Sequence, residues 1–126
     1  MEFLKIIGLS LLVLVGCNNA ESNTIQQISS QQAKELIEAN DYDVILDVRT
    51  LEEYNEGHIE NAVLLPDSEI KEEAEKILTD KEARILIYCR SGRRSKLAAN
   101  QLAEMGYTNL YDFGGIIDWP YEIVTE

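Results

Sequence analysis

The chain has 126 residues with 23 acidic and 11 basic side chains, which give a formal net charge of −12 at pH 7. This length corresponds to a single domain, and an apolar fraction of 45% is sufficient to form a hydrophobic core. The acidity argues against nucleic acid as a partner, because phosphate backbones are bound by basic surfaces.

The first 17 residues differ in composition from the rest of the chain. Residues 6–15 form a largely apolar run, which is too short to span a bilayer comfortably but is typical of a signal-peptide core. Residues 14–17, Leu-Val-Gly-Cys, resemble the lipobox of bacterial lipoproteins. The resemblance implies a signal peptide at residues 1–16, a lipid anchor on Cys17, and an extracytoplasmic location in the bacterial cell envelope, anchored to a membrane. An ordinary secretory signal or a short membrane helix is the alternative.

The two cysteines of the chain are Cys17 and Cys89. In an exported protein, two cysteines first suggest a disulfide. If Cys17 carries lipid, however, Cys89 has no partner within the chain. An unpaired thiol outside the cytoplasm indicates a reactive role.

Residues 17–27 are polar and predict a tether, so the folded domain is expected over residues 28–126. Helical patterns are found at residues 28–40, 50–56, 67–83 and 95–106. Short β-rich runs are found between them, at residues 43–48, 62–65 and 84–88, and again after residue 107. This alternation predicts an α/β fold built from right-handed βα units around a mainly parallel sheet.

Local signals refine the helices. Ser29 followed by Gln32 fits a capping box at the start of the first helix, and Asp67 or Ser68 is expected to cap the third. The inner face of the third helix is predicted to carry Ile70, Ala74, Ile77 and Leu78. That of the fourth is predicted to carry Leu97, Ala98, Leu102 and Met105.

Cys89 directly follows a predicted strand, where parallel α/β sheets place their functional sites. We refer to residues 89–94, Cys-Arg-Ser-Gly-Arg-Arg, as the cysteine loop. Its glycine permits close approach of the backbone, and Ser95 is expected to cap the following helix. No acidic residue lies between Ala83 and Ala103, although the chain is strongly acidic.

Together these features stabilise an anion at the cysteine sulfur. They predict that Cys89 is a thiolate nucleophile at neutral pH, since a helix N-terminus and cations favour the charged form. The same segment is expected to bind an incoming anion through six residues: Arg90, Ser91, Gly92, Arg93, Arg94 and Ser95. The alternative is a solvated basic loop beside a buried structural cysteine.

Two further candidates lie near the end of the first predicted strand. Asp47 and Arg49 have a supporting role if they reach the site, and otherwise form an ion pair that braces the loops. His58 is the only histidine, and one histidine with one free cysteine does not make a usual zinc site. No metal site and no organic cofactor are therefore expected.

Three segments in order resemble the rhodanese sulfurtransferases: residues 46–66, the cysteine loop, and residues 112–119, which contain Gly-Gly and Trp. The resemblance implies a single rhodanese-like domain with a parallel five-stranded sheet flanked by helices on both faces. It also implies that Cys89 carries a persulfide sulfur from a small anionic donor, such as thiosulfate, to a thiophilic acceptor, such as cyanide or a thiol. Residues 90–94 would cradle that sulfur and the donor.

The number of residues in the loop helps to distinguish sulfur transfer from the reactions of related proteins with this fold. Four residues lie between Cys89 and Arg94, whereas phosphatase-like proteins and arsenate reductases of this fold have one more. A shorter loop makes a smaller cradle and favours sulfur transfer. The alternatives are a thiol redox or persulfide-carrier partner of another envelope protein, and a non-catalytic binding module.

Overall fold

The computed structural model of the protein describes residues 24–125, and the predicted signal peptide and Cys17 lie outside them. Within that range five strands alternate with four α-helices. The strands are β1 (Ile25–Gln27), β2 (Val44–Asp47), β3 (Ala62–Leu64), β4 (Ile85–Cys89) and β5 (Leu110–Gly115). The helices are α1 (Ser30–Glu38), α2 (Leu51–Glu56), α3 (Ile70–Ile77) and α4 (Arg93–Glu104), with short 3₁₀ turns at Asp67–Glu69 and Ile116–Asp118.

The strands form one sheet in the order β1-β5-β4-β2-β3, and every neighbouring pair is parallel. The β4 strand occupies the centre, and its five residues are all buried. Helices α3 and α4 cover one face of the sheet, whereas α1 and α2 pack on the other. The predicted fold class, a parallel five-stranded α/β sheet with helices on both faces, is confirmed.

The tether prediction was wrong at its C-terminal end. Ile25–Gln27 pair with β5 as an edge strand, with Ile25 opposite Leu110 and Gln27 opposite Asp112. The strand is short, contains two glutamines and leaves them exposed, so it has no apolar pattern by which to recognise it. Its place in the sheet comes from backbone pairing, from Ile25 packed against the core, and from a hydrogen bond of Gln27 Nε2 to the Asp112 carboxylate at 3.3 Å. Residues 25–27 therefore belong to the folded domain.

The core comprises one apolar cluster on each face of the sheet. On the α3–α4 face it contains Ile70, Ala74, Leu78, Ala98, Ala99 and Leu102 against the sheet residues. Ile77 and Leu97, predicted to point inward, are 43% and 56% exposed. In each helix the buried residues recur every three to four positions and form a stripe that faces the sheet. Ile77 and Leu97 each lie one position away from that stripe.

Helix starts were predicted with mixed success. The capping box of Ser29 and Gln32 is present at α1. The expected cap of α3 by Asp67 or Ser68 is absent, because a 3₁₀ turn at Asp67–Glu69 leads into the helix. The backbone N–H of Asp67 donates instead to the carbonyl of Val48, which fastens this turn to the end of β2.

Candidate active site

Cys89 is the last residue of the central strand and is 1% exposed. The register between β4 and β5 changes at this point, since Ile87 lies opposite Asp112 but Cys89 lies opposite Gly115. Two steps along β4 thus face three along β5, and such a bulge bends and redirects the strand that carries it. The thiol lies at the carboxyl edge of the sheet, as the sequence predicts.

The sulfur of Cys89 accepts a hydrogen bond from the backbone N–H of Gly92, with an N···S distance of 3.0 Å. Gly92 has a φ of +105°, in the left-handed region that glycine adopts at little cost. This conformation turns the chain into α4 and aims the N–H group back at the sulfur. A donor in this position stabilises a negative charge on the sulfur, and the N-terminus of α4 adds to it.

Ser95 does not cap the helix, which is a correction to the sequence prediction. The left-handed Gly92 begins α4 at Arg93, so Ser95 lies inside the first turn and is fully buried. Its hydroxyl donates to the carboxylate of Asp112 at 2.8 Å and lies 3.2 Å from the carbonyl oxygen of Gly92. Ser95 thus fixes the position of the loop rather than facing an anion.

Asp112 is a residue of this site that the sequence reasoning did not single out. Its buried side chain accepts the hydroxyl of Ser95 and, at 3.0 Å, the backbone N–H of Gly114. The carboxylate therefore links α4 to the glycine turn at the end of β5. The signal available in the sequence was its place at the start of the Asp-Phe-Gly-Gly segment.

The cysteine loop rests directly on Gly115. A Cβ atom at this position would lie 2.1 Å from the carbonyl oxygen of Arg90 and 2.6 Å from the Cα of Ser91. The backbone N–H of Ile117 donates to the same carbonyl at 3.2 Å. The second glycine of the pair is therefore required by the close approach of two backbone segments.

Arg94 forms a bidentate ion pair with Glu53, with both guanidinium–carboxylate distances at 2.9 Å. The two side chains are 27% and 23% exposed. The hydrogen bonds from Arg94 lower the pKa of Glu53 to about 2. The hydrogen bonds to Glu53 raise the pKa of Arg94, and the charge of the nearby Cys89 contributes in the same direction.

Glu53 modifies the charge pattern that the sequence predicts. The window without acidic residues holds along the chain, but α2 brings this carboxylate to the loop from 41 residues away. Arg90, Ser91 and Arg93 are exposed, and within residues 24–125 their side chains make no hydrogen bond or ion pair. The unpaired arginines of the loop are thus Arg90 and Arg93.

Asp47 and Arg49 form the bracing ion pair that the sequence allowed. The fully buried carboxylate of Asp47 binds the guanidinium in bidentate fashion and accepts the hydroxyl of Tyr88 at 2.7 Å. Burial and the charge of Asp47 raise the pKa of Tyr88. Arg49 also donates to the carbonyl of Gly57, so the network connects β2, β4 and the segment after α2.

His58 has a structural setting. Its ring is buried and stacks on Tyr54 with centroids 3.7 Å apart, and its Nδ1 lies 2.8 Å from the carbonyl oxygen of Tyr54. Its backbone pairs with Val124. Over residues 24–125, no three histidine, cysteine or acidic side chains lie close enough together to hold a metal ion. No helix in this part of the chain is long and apolar enough to cross a membrane.

The site thus consists of a cysteine at the carboxyl edge of a parallel α/β sheet, in a loop between the central strand and a helix N-terminus. Residues 29–120 match the family model described as a rhodanese-like domain. The chain therefore belongs to the rhodanese-like family.

The relatives of the chain include proteins named as thiosulfate sulfurtransferases. PspE of Escherichia coli is 38% identical over 73 residues, which cover 58% of this chain and 70% of PspE. GlpE of Coxiella burnetii is 40% identical over 95 residues, or 75% of this chain and 86% of GlpE. A solved structure titled "rhodanese with anions from E. coli" has a TM-score of 0.62 at 35% identity, covering 66% of this chain and 98% of its own.

We predict that Gly115→Ala distorts the cysteine loop, because the added methyl overlaps the backbone of Arg90. Overpacking against backbone is expected to lower the free energy of unfolding by about 2–3 kcal/mol, measured by urea unfolding. Gly57→Ala is the control, since the only close contact of its Cβ, at 2.7 Å, is with the terminal methyl of Ile123, a side chain that can rotate. An equal loss in both variants would contradict the prediction.

A second prediction concerns acid. The pKa of Glu53 is about 2 in the folded protein and 4.5 unperturbed, so the unfolded chain binds the proton first as the pH falls. The stability gained from the Arg94 pair is fully present above about pH 4.5 and is lost towards pH 2. Glu53→Gln should therefore lower the free energy of unfolding by about 1–2 kcal/mol at neutral pH.

The gap between wild type and Glu53→Gln should close as the pH falls through this window, measured by urea unfolding at several pH values. Glu56→Gln, on the same helix and exposed, removes the same charge and should stay close to wild type at each pH. A gap that persists unchanged at pH 2 would show that the ion pair is not its source.

Proposed function

We propose that the protein is a sulfurtransferase that moves one sulfur atom from a thiosulfate-type donor to cyanide or a thiol, through a persulfide on Cys89. The observation that carries the proposal is the Gly92 N–H donated to the Cys89 sulfur, in a loop where Arg90 and Arg93 have no ionic partner among residues 24–125. Membership of the rhodanese-like family and the names of the relatives support the reaction class.

In the first half-reaction the Cys89 thiolate attacks the outer sulfur of thiosulfate. The S–S bond of the donor breaks, sulfite leaves with the electron pair, and Cys89 becomes a persulfide anion. In the second half-reaction cyanide attacks the outer sulfur of the persulfide. The S–S bond to Cys89 breaks, thiocyanate leaves, and the thiolate is restored. A thiol acceptor gives up its proton first and then leaves as a persulfide.

In this proposal the residues of the loop have separate tasks. The Gly92 N–H stabilises the charge of the Cys89 thiolate, which attacks in the first half-reaction and leaves in the second. The exposed Arg90 and Arg93 attract the dianionic donor. Since Cys89 is almost fully enclosed, a small donor fits the first step better than a bulky one. The persulfide then lengthens the side chain by one S–S bond of about 2 Å, which presents the transferable sulfur to the acceptor.

The test is thiosulfate-dependent formation of thiocyanate by wild type, Cys89→Ser and Cys17→Ser. We expect Cys89→Ser to lose activity to the background rate and Cys17→Ser to keep it. Mass spectrometry of wild type after thiosulfate treatment should show the gain of one sulfur atom on Cys89. Equal activity in wild type and Cys89→Ser would sink the proposal.

A second candidate function is persulfide carriage to a thiol protein of the envelope, with little turnover of small donors. The observation that favours it is a relative named as a putative sulfur carrier protein, YrkF of Bacillus subtilis, 32% identical over 103 residues. That match covers 55% of YrkF. Mixed disulfides trapped through Cys89 but not through Cys89→Ser, together with slow thiocyanate formation, would favour this carrier role.

We also propose that the domain is tethered to a membrane of the bacterial envelope by lipid on Cys17. The support is the sequence at residues 14–17 alone. Labelling with a fatty-acid analogue in a bacterial host should mark wild type and Cys89→Ser but not Cys17→Ser, and the label should follow the membrane fraction. Absence of label from wild type would remove the anchor from the proposal.

A further inference from the structure

The carboxylate of Glu53 makes two sets of hydrogen bonds, one within its own helix and one to the cysteine loop. As the third residue of α2 it completes a capping box, since its Oε1 accepts the backbone N–H of Thr50 at 2.9 Å. The same carboxylate accepts both terminal nitrogens of Arg94. The start of α2 is therefore joined to the first turn of α4, whose N-terminus faces the Cys89 sulfur.

The three arginines of the cysteine loop consequently differ in their electrostatic effect. Arg90 and Arg93 are exposed and lack an ionic partner among residues 24–125. Arg94 is held in one orientation, and its charge is largely balanced by Glu53. This arrangement reduces the attraction of the loop for a dianion without removing the guanidinium.

We propose that Glu53 is a positioning residue that acts through Arg94 and sets how tightly the loop holds anions. The inference rests on the proposed sulfur transfer, in which the donor and the departing sulfite are both anions. Additional charge would bind donor and product more tightly alike, and such uniform binding does not speed the chemical step. Glu53 thus weakens donor binding while permitting release of sulfite.

The first test is Glu53→Gln in the thiosulfate and cyanide assay. Glutamine is compatible with the capping box, so the substitution removes charge while retaining the start of α2. We expect the KM for thiosulfate to fall by about three- to tenfold at low ionic strength, and the difference to shrink as salt is added. Inhibition by sulfite should tighten and kcat should fall, a split that general loosening of the structure would not produce.

Glu56→Gln is the matched control, because it changes the net charge equally on the same helix without touching Arg94. Its KM should stay within about twofold of wild type, since an exposed charge is strongly screened. In an Arg94→Gln background, Glu53→Gln should lower the KM much less, because only the carboxylate charge is lost and no guanidinium is freed to meet the donor. A fall of the same size in that background would overturn the proposal, because Glu53 would then act without Arg94.

A comparison of arginine variants covers the case in which Glu53→Gln does not fold. Arg93→Gln removes a cation that has no ionic partner among residues 24–125, whereas the double variant Arg94→Gln/Glu53→Gln removes a balanced pair and leaves no unpaired charge behind. The KM for thiosulfate should therefore rise more for Arg93→Gln. A larger rise for the double variant would contradict the proposal.

Sulfite binding by calorimetry, in the Cys89→Ser protein with and without Glu53→Gln, separates this inference from the proposed function. Tighter sulfite binding with Glu53→Gln supports the role of Glu53 even where turnover fails. Unchanged or weaker binding overturns it even if wild type proves to be an efficient sulfurtransferase.

Discussion

The close approach of the Arg90 carbonyl to Gly115 is the constraint on which the site depends. It is possible because the bulge in the β4–β5 pairing sets a glycine opposite Cys89. The loop can then turn tightly enough, through the left-handed Gly92, to direct an N–H group at the sulfur. Ser95 and Asp112 hold α4 and the glycine turn together behind it. Backbone geometry therefore directs a hydrogen-bond donor at the Cys89 sulfur before any charged side chain contributes.

The charged side chains of the cysteine loop add to this backbone arrangement, and they do not contribute equally. The chain is strongly acidic, and a dianion approaching most of its surface is repelled. The exposed arginines reverse the field locally, over about the 8–10 Å at which salt screens such interactions. Glu53 then balances one arginine of the three. The sequence around the loop has no acidic residue, but the fold brings the Glu53 carboxylate of α2 next to Arg94.

The features of this fold that could be predicted from the sequence are those that depend on local residue patterns. Alternating helical and β-rich runs predicted the parallel sheet, and the strand before Cys89 predicted its place at the carboxyl edge. β1 escaped prediction because edge pairing of Ile25–Gln27 uses backbone groups and needs no apolar pattern. Ser95 was placed at the helix start because serine favours that position, but the left-handed Gly92 begins the helix earlier. The contact of Glu53 with Arg94 joins residues 41 positions apart and could not be read from local spacing. The position of Asp112 before two glycines was a signal, but its bond to Ser95 is a tertiary contact.

The two sources of positive potential at Cys89 respond differently to their surroundings, and this difference explains why both are present. The Gly92 N–H is fixed by packing, lies in a water-poor setting and is little screened by salt, so it is suited to stabilising a thiolate at Cys89. Arg90 and Arg93 are exposed and strongly screened, so they attract anions without retaining them. The proposed sulfur transfer requires a stable thiolate and loosely bound anions. The fixed backbone donor is suited to the first requirement, and the exposed arginines, one of the three balanced by Glu53, are suited to the second.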